Sequence, residues 1–143
     1  MSDFRPNVVA FVCNWCSYAG ADHAGGQRLS YAPDVKLVRV MCSGRVDPQL
    51  VLQAFREGAD GVMVLGCHPG DCHYRTGNVK AMRRFRILQR TLAQFGIDPA
   101  RLRLDWVAAG EGERFQKLAG EMAGVVKALG PLVLAGKVER DVA

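Results

Sequence analysis

Nothing in this sequence is apolar for long enough to cross a membrane. Its unbroken apolar runs reach about seven residues, against the roughly 20 that a spanning helix requires. The segment Met1 to Val8 lacks the basic start and apolar core of a signal peptide, so the chain is expected to stay in the cytoplasm. Aromatic residues are scarce, at 8%, and they are not interleaved with basic residues as in RNA-binding sheets. Charge of one sign is modest too: a net +5 over 143 residues is a weak argument for a nucleic-acid partner. The sequence shows no internal repeat, low-complexity run or linker, which argues against solenoid, fibrous and multi-domain architectures.

What is present is ordinary globular composition, 49% hydrophobic and 23% charged, in a chain the size of one domain. Such a chain buries roughly two thirds of its unfolded surface and needs no covalent staple. Five cysteines therefore call for another explanation. In a reducing compartment an odd number of them points to metal binding or redox chemistry rather than to structural disulfides.

Along the chain, strand patterns alternate with helix patterns. Val8 to Val12 is apolar and β-branched and is closed by Cys13; a small-residue loop and a helix are expected to follow. Val35 to Met41 reads as a second strand ending at Cys42. Asp47 and Pro48 form a helix start, with Val51, Ala54 and Phe55 on one face, Gly58 as the stop, and an end near Ala59. Gly61 to Gly66 is a third strand, delivering Cys67. Asn78 to Phe95 carries Ala81, Phe85, Leu88, Leu92 and Phe95 at helical spacing, and Gly96 ends it. A fourth strand is expected near Leu102 to Ala108. The last helix, from about Glu113 to Leu129, would bury Phe115, Leu118, Met122, Val125 and Leu129.

This alternation predicts an α/β fold: a small flavodoxin-like, doubly wound parallel sheet of about four strands with flanking helices. Residues 1–131 form the expected domain, and Leu132 to Ala143 a loosely ordered tail. In such a sheet, functional groups collect beyond the carboxyl ends of the strands. Cys13, Cys42 and Cys67 end successive strands there, and Cys16 and Cys72 follow in the next loops. All five can converge. Cys13 and Cys16 are separated by two residues, which curls two thiolates toward one metal, and Cys67 with Cys72 makes a second close pair.

Four thiolates suit zinc as well as iron-sulfur. A structural zinc usually rescues a domain too small for a core, so the surroundings favour a [2Fe-2S] cluster. The paired spacings would leave Cys42 as the fifth thiol, although it could instead replace Cys16 or Cys72. Ser43, Gly44, Gly66, Gly70 and Gly77 permit close backbone approach, and Arg45 and Arg75 each lie three residues beyond a cysteine, where they could offset cluster charge or be solvated. His68 and His73 follow cysteines directly; mixed ligation as in Rieske-type centres is conceivable, but hydrogen bonding to the ligands or simple exposure suits them better, and His23 reads as surface. Trp15 either shields the site or simply packs. Arg83, Arg86 and Arg90 lie opposite the apolar stripe of their helix, a solvated face or a surface for an acidic partner. A thiol-disulfide oxidoreductase using Cys13 and Cys16, and a structural zinc adaptor, are the competing readings.

Taken together, CNWCSYAGAD, VRVMCSGRVDP, GADGVMVLGCHPGDCHYRTGN and RLRLDWVAAGEGERF resemble the delta, or iron-sulfur D, subunit of methyl-viologen-reducing hydrogenase, over about residues 8 to 130. The resemblance implies an electron-transfer subunit without a substrate of its own. It would relay electrons between a nickel-iron hydrogenase or other dehydrogenase and the flavin-bearing subunit of heterodisulfide reductase, in an electron-bifurcating complex. Cys13, Cys16, Cys42, Cys67 and Cys72 match the family's cysteine positions, and four of them would hold the [2Fe-2S] cluster.

Overall fold

A computed structural model describes residues 4–13, 35–68, 77–108 and 110–133. Its elements run β1 (Val8–Cys13), β2 (Val35–Val40), α1 (Pro48–Arg56), β3 (Gly61–Gly66), α2 (Gly77–Gln94), β4 (Leu102–Trp106) and α3 (Gly112–Leu129), with 3₁₀ turns at Ser43–Arg45 and Pro99–Arg101. All strand pairings are parallel, and the sheet order is β2-β1-β3-β4. This is the order of the flavodoxin-like doubly wound fold, and it bears out the α/β expectation. The helix expected between β1 and β2, and most of the expected tail, lie outside the described residues. Among the described residues no helix is long and apolar enough to cross a membrane.

The central strands are apolar throughout because both faces of the sheet are covered. β3 is buried at every position and β1 at five of six. Successive side chains divide between two cores. Val8, Ala10, Val12, Met63 and Leu65 pack with Phe115, Leu118, Met122 and Val126 of α3. Phe11, Val62, Val64, Leu102 and Leu104 pack on the other face with Val51 and Phe55 of α1 and Leu88 and Leu92 of α2.

The helix signals act as their chemistry predicts. Asp47 caps α1 by accepting from the Gln49 N–H at 2.8 Å. The helix ends at Arg56, three residues before the expected Ala59, because Gly58 takes φ +118° and a Schellman turn forms. In that turn Ala59 donates to the Ala54 carbonyl at 3.0 Å and Gly58 to Phe55 at 3.2 Å. Gly96 ends α2 in the same way, with Ile97 donating to Leu92. That turn corrects one expectation. Ile97 takes the inward position and Phe95 is left 60% exposed. On α3 the inner stripe continues through Ala119 and Val126, so Val125 and Leu129 face outward, contrary to expectation.

At the amino ends of the strands, Asp60 holds the domain together. Its carboxylate accepts from the backbone N–H of Asn7 and from that of Leu132, both at 3.0 Å, and its carbonyl accepts from buried Arg101 at 2.9 Å. Leu132, expected to begin the tail, is thereby tied to the sheet. Replacing Asp60 with Ala strands two backbone donors. We expect Asp60→Ala to lower unfolding stability by about 2–3 kcal/mol, read as a shift in the urea midpoint; an unchanged midpoint would contradict this account.

Candidate metal centre at the cysteine edge

In the strand order β2-β1-β3-β4 the chain winds outward in both directions from β1 and β3, so the topological switch point lies between these two strands. The register there carries Val12 opposite Leu65 on one side, and Cys13 opposite Val40 on the other. Cys13 therefore ends β1 just where Cys67 leaves β3. Their sulfurs lie 3.7 Å apart and both residues are buried, forming a small cluster of their own. Cys13 Sγ also lies 3.8 Å from the carbonyl of Met41, at the end of the neighbouring strand.

Cys42 follows Met41. It caps the Ser43–Arg45 turn, its sulfur accepting from the Gly44 N–H at 3.4 Å, an amide-to-sulfur contact of the kind expected around thiolate ligands. Arg45 is exposed beside it. Cys16 and Cys72 lie outside the described residues, as do Trp15, His23, Gly70, His73 and Arg75. Cys67 is disulfide-bonded, whereas Cys13 and Cys42 are not. Among the described residues no group of three or more His, Cys, Asp or Glu side chains is arranged to hold a metal.

The described geometry fits a thiolate-bound metal on one test. Two thiolates bound at about 2.3 Å to one tetrahedral metal lie about 3.8 Å from each other. The Cys13 and Cys67 sulfurs have this separation. The sequence pairs Cys13 with Cys16 and Cys67 with Cys72 by spacing, whereas the sheet brings together the first member of each pair. Ligation requires Cys67 as a thiolate, so its disulfide and a metal are alternative uses of the same sulfur.

Close backbone packing holds the turn that carries Cys42. A Cβ on Gly44 would lie 2.9 Å from both Cα and O of Gly77, so the turn rests on the first residue of α2 with no side chain between. Arg84 of α2 donates to the Gly44 carbonyl. A Cβ on Gly66 would lie 2.7 Å from Ser43 Oγ and 3.1 Å from the Trp106 ring. Sequence reasoning missed Asn78, whose Nδ2 donates to the carbonyls of Cys67 at 3.0 Å and His68 at 3.1 Å, fixing the start of the cysteine loop. The available signal was Gly77-Asn78 at the head of an apolar-periodic helix. Two buried acceptor-capable atoms beside this framework, Ser43 Oγ and Asn78 Oδ1, have no hydrogen-bond partner among the described residues.

His68 pairs through Nε2 with Glu111 Oε1 at 2.5 Å. No spacing in the sequence announces this contact. Glu111 also accepts from the Ala108 N–H at 2.8 Å. The His68 hydrogen bond, then that backbone bond, hold the Glu111 carboxyl below the usual carboxylate range. A carboxyl lowered on folding stabilises the fold above its unfolded value, roughly 4.3, and the contribution disappears as pH falls through the lower folded value. Glu111→Gln is expected to flatten the acid limb of the stability profile and leave the Cys13–Cys67 edge intact. Urea midpoints between pH 3 and 7, for both proteins, would sink this if the two profiles ran parallel.

Fold and site together define a class: small flavodoxin-like α/β domains that present cysteine sulfurs at the carboxyl edge of the sheet. The family model described as methyl-viologen-reducing hydrogenase, delta subunit, matches residues 8–130, and the chain belongs to that family. It is 50% identical over 129 residues to the iron-sulfur (D) subunit of the F420-non-reducing hydrogenase of Archaeoglobus profundus, covering 90% of this chain and 94% of that protein. It is 47% identical over 140 residues to the vhc iron-sulfur (D) subunit of the F420-non-reducing hydrogenase of Methanococcus voltae, covering 96% and 97%. A third relative is far longer. The (A) subunit of the ferredoxin/F(420)H(2)-dependent CoB-CoM heterodisulfide reductase of Methanosarcina acetivorans is 46% identical over 127 residues, 89% of this chain but 16% of that protein.

Proposed function

We propose that the chain is a [2Fe-2S] electron-transfer subunit. It relays electrons between a hydrogenase or other dehydrogenase and the flavin-bearing subunit of heterodisulfide reductase, within an electron-bifurcating complex. The observation that carries this reading is the 3.7 Å separation of the Cys13 and Cys67 sulfurs at the switch point of the sheet. The names of the relatives support it: two are iron-sulfur subunits of hydrogenases, and a third belongs to a heterodisulfide reductase, where this domain is one part of a longer chain.

Four of Cys13, Cys16, Cys42, Cys67 and Cys72 would ligate the cluster, which when bound supplies a carrier of one electron at a time. Cys13 and Cys67 would be among these four, because their sulfurs already stand together at the end of the sheet. The remaining groups of the chain hold and screen the site. Gly44 donates its N–H to the Cys42 sulfur, Arg45 offers positive charge, and Asn78 anchors the loop that begins at Cys67. The loops 14–20, 43–47 and 68–78 would be covered by partner subunits, since the donor and acceptor must approach this edge.

A second reading is a thiol-disulfide oxidoreductase with Cys13 as nucleophile and Cys16, two residues further on, as its resolving partner. Purified anaerobically, an iron-sulfur protein is brown and contains iron and sulfide, whereas the oxidoreductase is colourless with reactive thiols and a zinc adaptor is colourless with stoichiometric zinc.

Changing each cysteine to serine in turn should divide the five variants four to one, because a [2Fe-2S] centre takes four protein ligands. Cys13→Ser and Cys67→Ser belong to the four that lose iron, sulfide and the reduced-state electron paramagnetic resonance signal. Retention of the signal in both, or in any two variants, would defeat the assignment, as would its loss in all five.

A further inference from the structure

Among the three described helices, α2 has its charges in the wrong places for its own stability. A helix is stabilised by acidic residues in its first turn and basic residues in its last, because of the partial charges at its ends. α3 follows this rule, with Glu113 in its first turn and Lys127 in its last. α2 does not. Its 18 residues include Lys80, Arg83, Arg84, Arg86 and Arg90 and no Asp or Glu, and neither end carries the favourable charge. Lys80 with Arg84, and Arg86 with Arg90, are like charges one turn apart, which disfavours the helix further.

These cations are not neutralised from elsewhere in the described fold. On β4 and α3 opposite charges pair, Arg103 with Asp105 and Glu121, and Arg114 with Asp105. None of them involves α2, and of its five cations only Arg84 has a described partner, the Gly44 carbonyl. The outward stripe of α2 is Lys80, Arg83, Ile87, Arg90 and Gln94, at alternating steps of three and four, and all five are exposed. At its centre Ile87 is 69% exposed, an apolar side chain flanked by two arginines.

The stripe leads to the cysteine edge. A cavity of about 310 Å³ lies between the turn that carries Cys42 and the start of α2, lined by Met41, Cys42, Gly44, Arg45, Gly77 and Lys80. Met41 is 52% exposed at its mouth. One continuous surface therefore joins the Cys42 turn to the outer face of α2, cationic along its length and apolar at two points. An apolar centre with a charged surround is the composition of a specific protein interface, in which the charges set orientation and rate of encounter.

We infer that the outer face of α2, from Lys80 to Arg90, is the docking surface for an acidic patch on a partner protein subunit, which it guides onto the cysteine edge. The inference rests on the electron-relay reading for the identity of that subunit, and its test separates the two.

A tagged chain would be purified anaerobically from its native cells with its subunits attached, as wild type, as Arg83→Glu with Arg90→Glu, and as a control with Lys117→Glu and Lys127→Glu on α3. We expect the α2 variant to lose on the order of tenfold of its bound subunits, the control to keep them, and this chain, once separated from its subunits, to hold wild-type iron in both variants. Wild-type association should weaken as salt rises. A photo-crosslinking residue at position 87, with the arginines intact, should attach to an Asp- or Glu-rich segment of a co-purifying subunit; this reading does not depend on how the double variant folds. Undiminished subunits in the α2 variant, or a crosslink to nucleic acid, to a second copy of this chain or to a segment lacking acidic residues, would overturn the inference. A wild-type chain that brings its subunits down but, once separated from them, holds no iron would overturn the electron-relay reading and leave the docking surface standing.

Discussion

Everything at the functional edge depends on β1 and β3 being neighbours. The two strands are separated in sequence by β2 and α1, yet the sheet pairs them directly, Val12 against Leu65. Their apolar residues make that pairing compulsory: each strand has side chains in both cores, and a position at the rim of the sheet would expose one set. The hydrophobic effect thus sets the distance between two sulfurs 54 residues apart. Had β2 taken the place beside β3, the thiol of Cys13 would have lost Cys67 as its neighbour.

Much of this was legible in the sequence, for local reasons. Asp47-Pro48, Gly58 and Gly96 act through caps and left-handed turns, which involve only residues within a turn or two. The strands were legible because buried parallel strands are continuous apolar runs. Sheet order was not legible, since it follows from the competition among strands for the centre. The partnership of Cys13 with Cys67 therefore remained hidden behind the closer spacings of Cys13 with Cys16 and Cys67 with Cys72. Phe95, Val125 and Leu129 were misplaced because helical periodicity leaves the inner face ambiguous near a helix end, and there the turn geometry decides.

The two halves of the surface divide their electrostatic roles. Around β4 and α3, opposite charges meet within the chain and satisfy one another. Along α2 they do not, and the helix keeps its shape because Leu88, Leu92 and the partly buried Phe85 are held in the core. Tertiary packing is what allows a helix to carry charges that would disfavour it in isolation. The close approach of Gly44 to Gly77 then seats the Cys42 turn directly on the start of α2.

The two oxygens of the Asp60 carboxylate each take one backbone N–H, from Asn7 before the first strand and from Leu132 after the last helix. Entry to the fold and exit from it are thus adjacent, and both are at the pole remote from the sulfurs. A module with neighbouring ends can be inserted in a longer polypeptide as an inset, without rerouting its interior or disturbing its working edge. The same pattern makes up 16% of a heterodisulfide reductase polypeptide. Neighbouring ends suit such a domain both to making up nearly all of a small subunit, as in the hydrogenase relatives, and to forming one part of a longer polypeptide, as in the reductase.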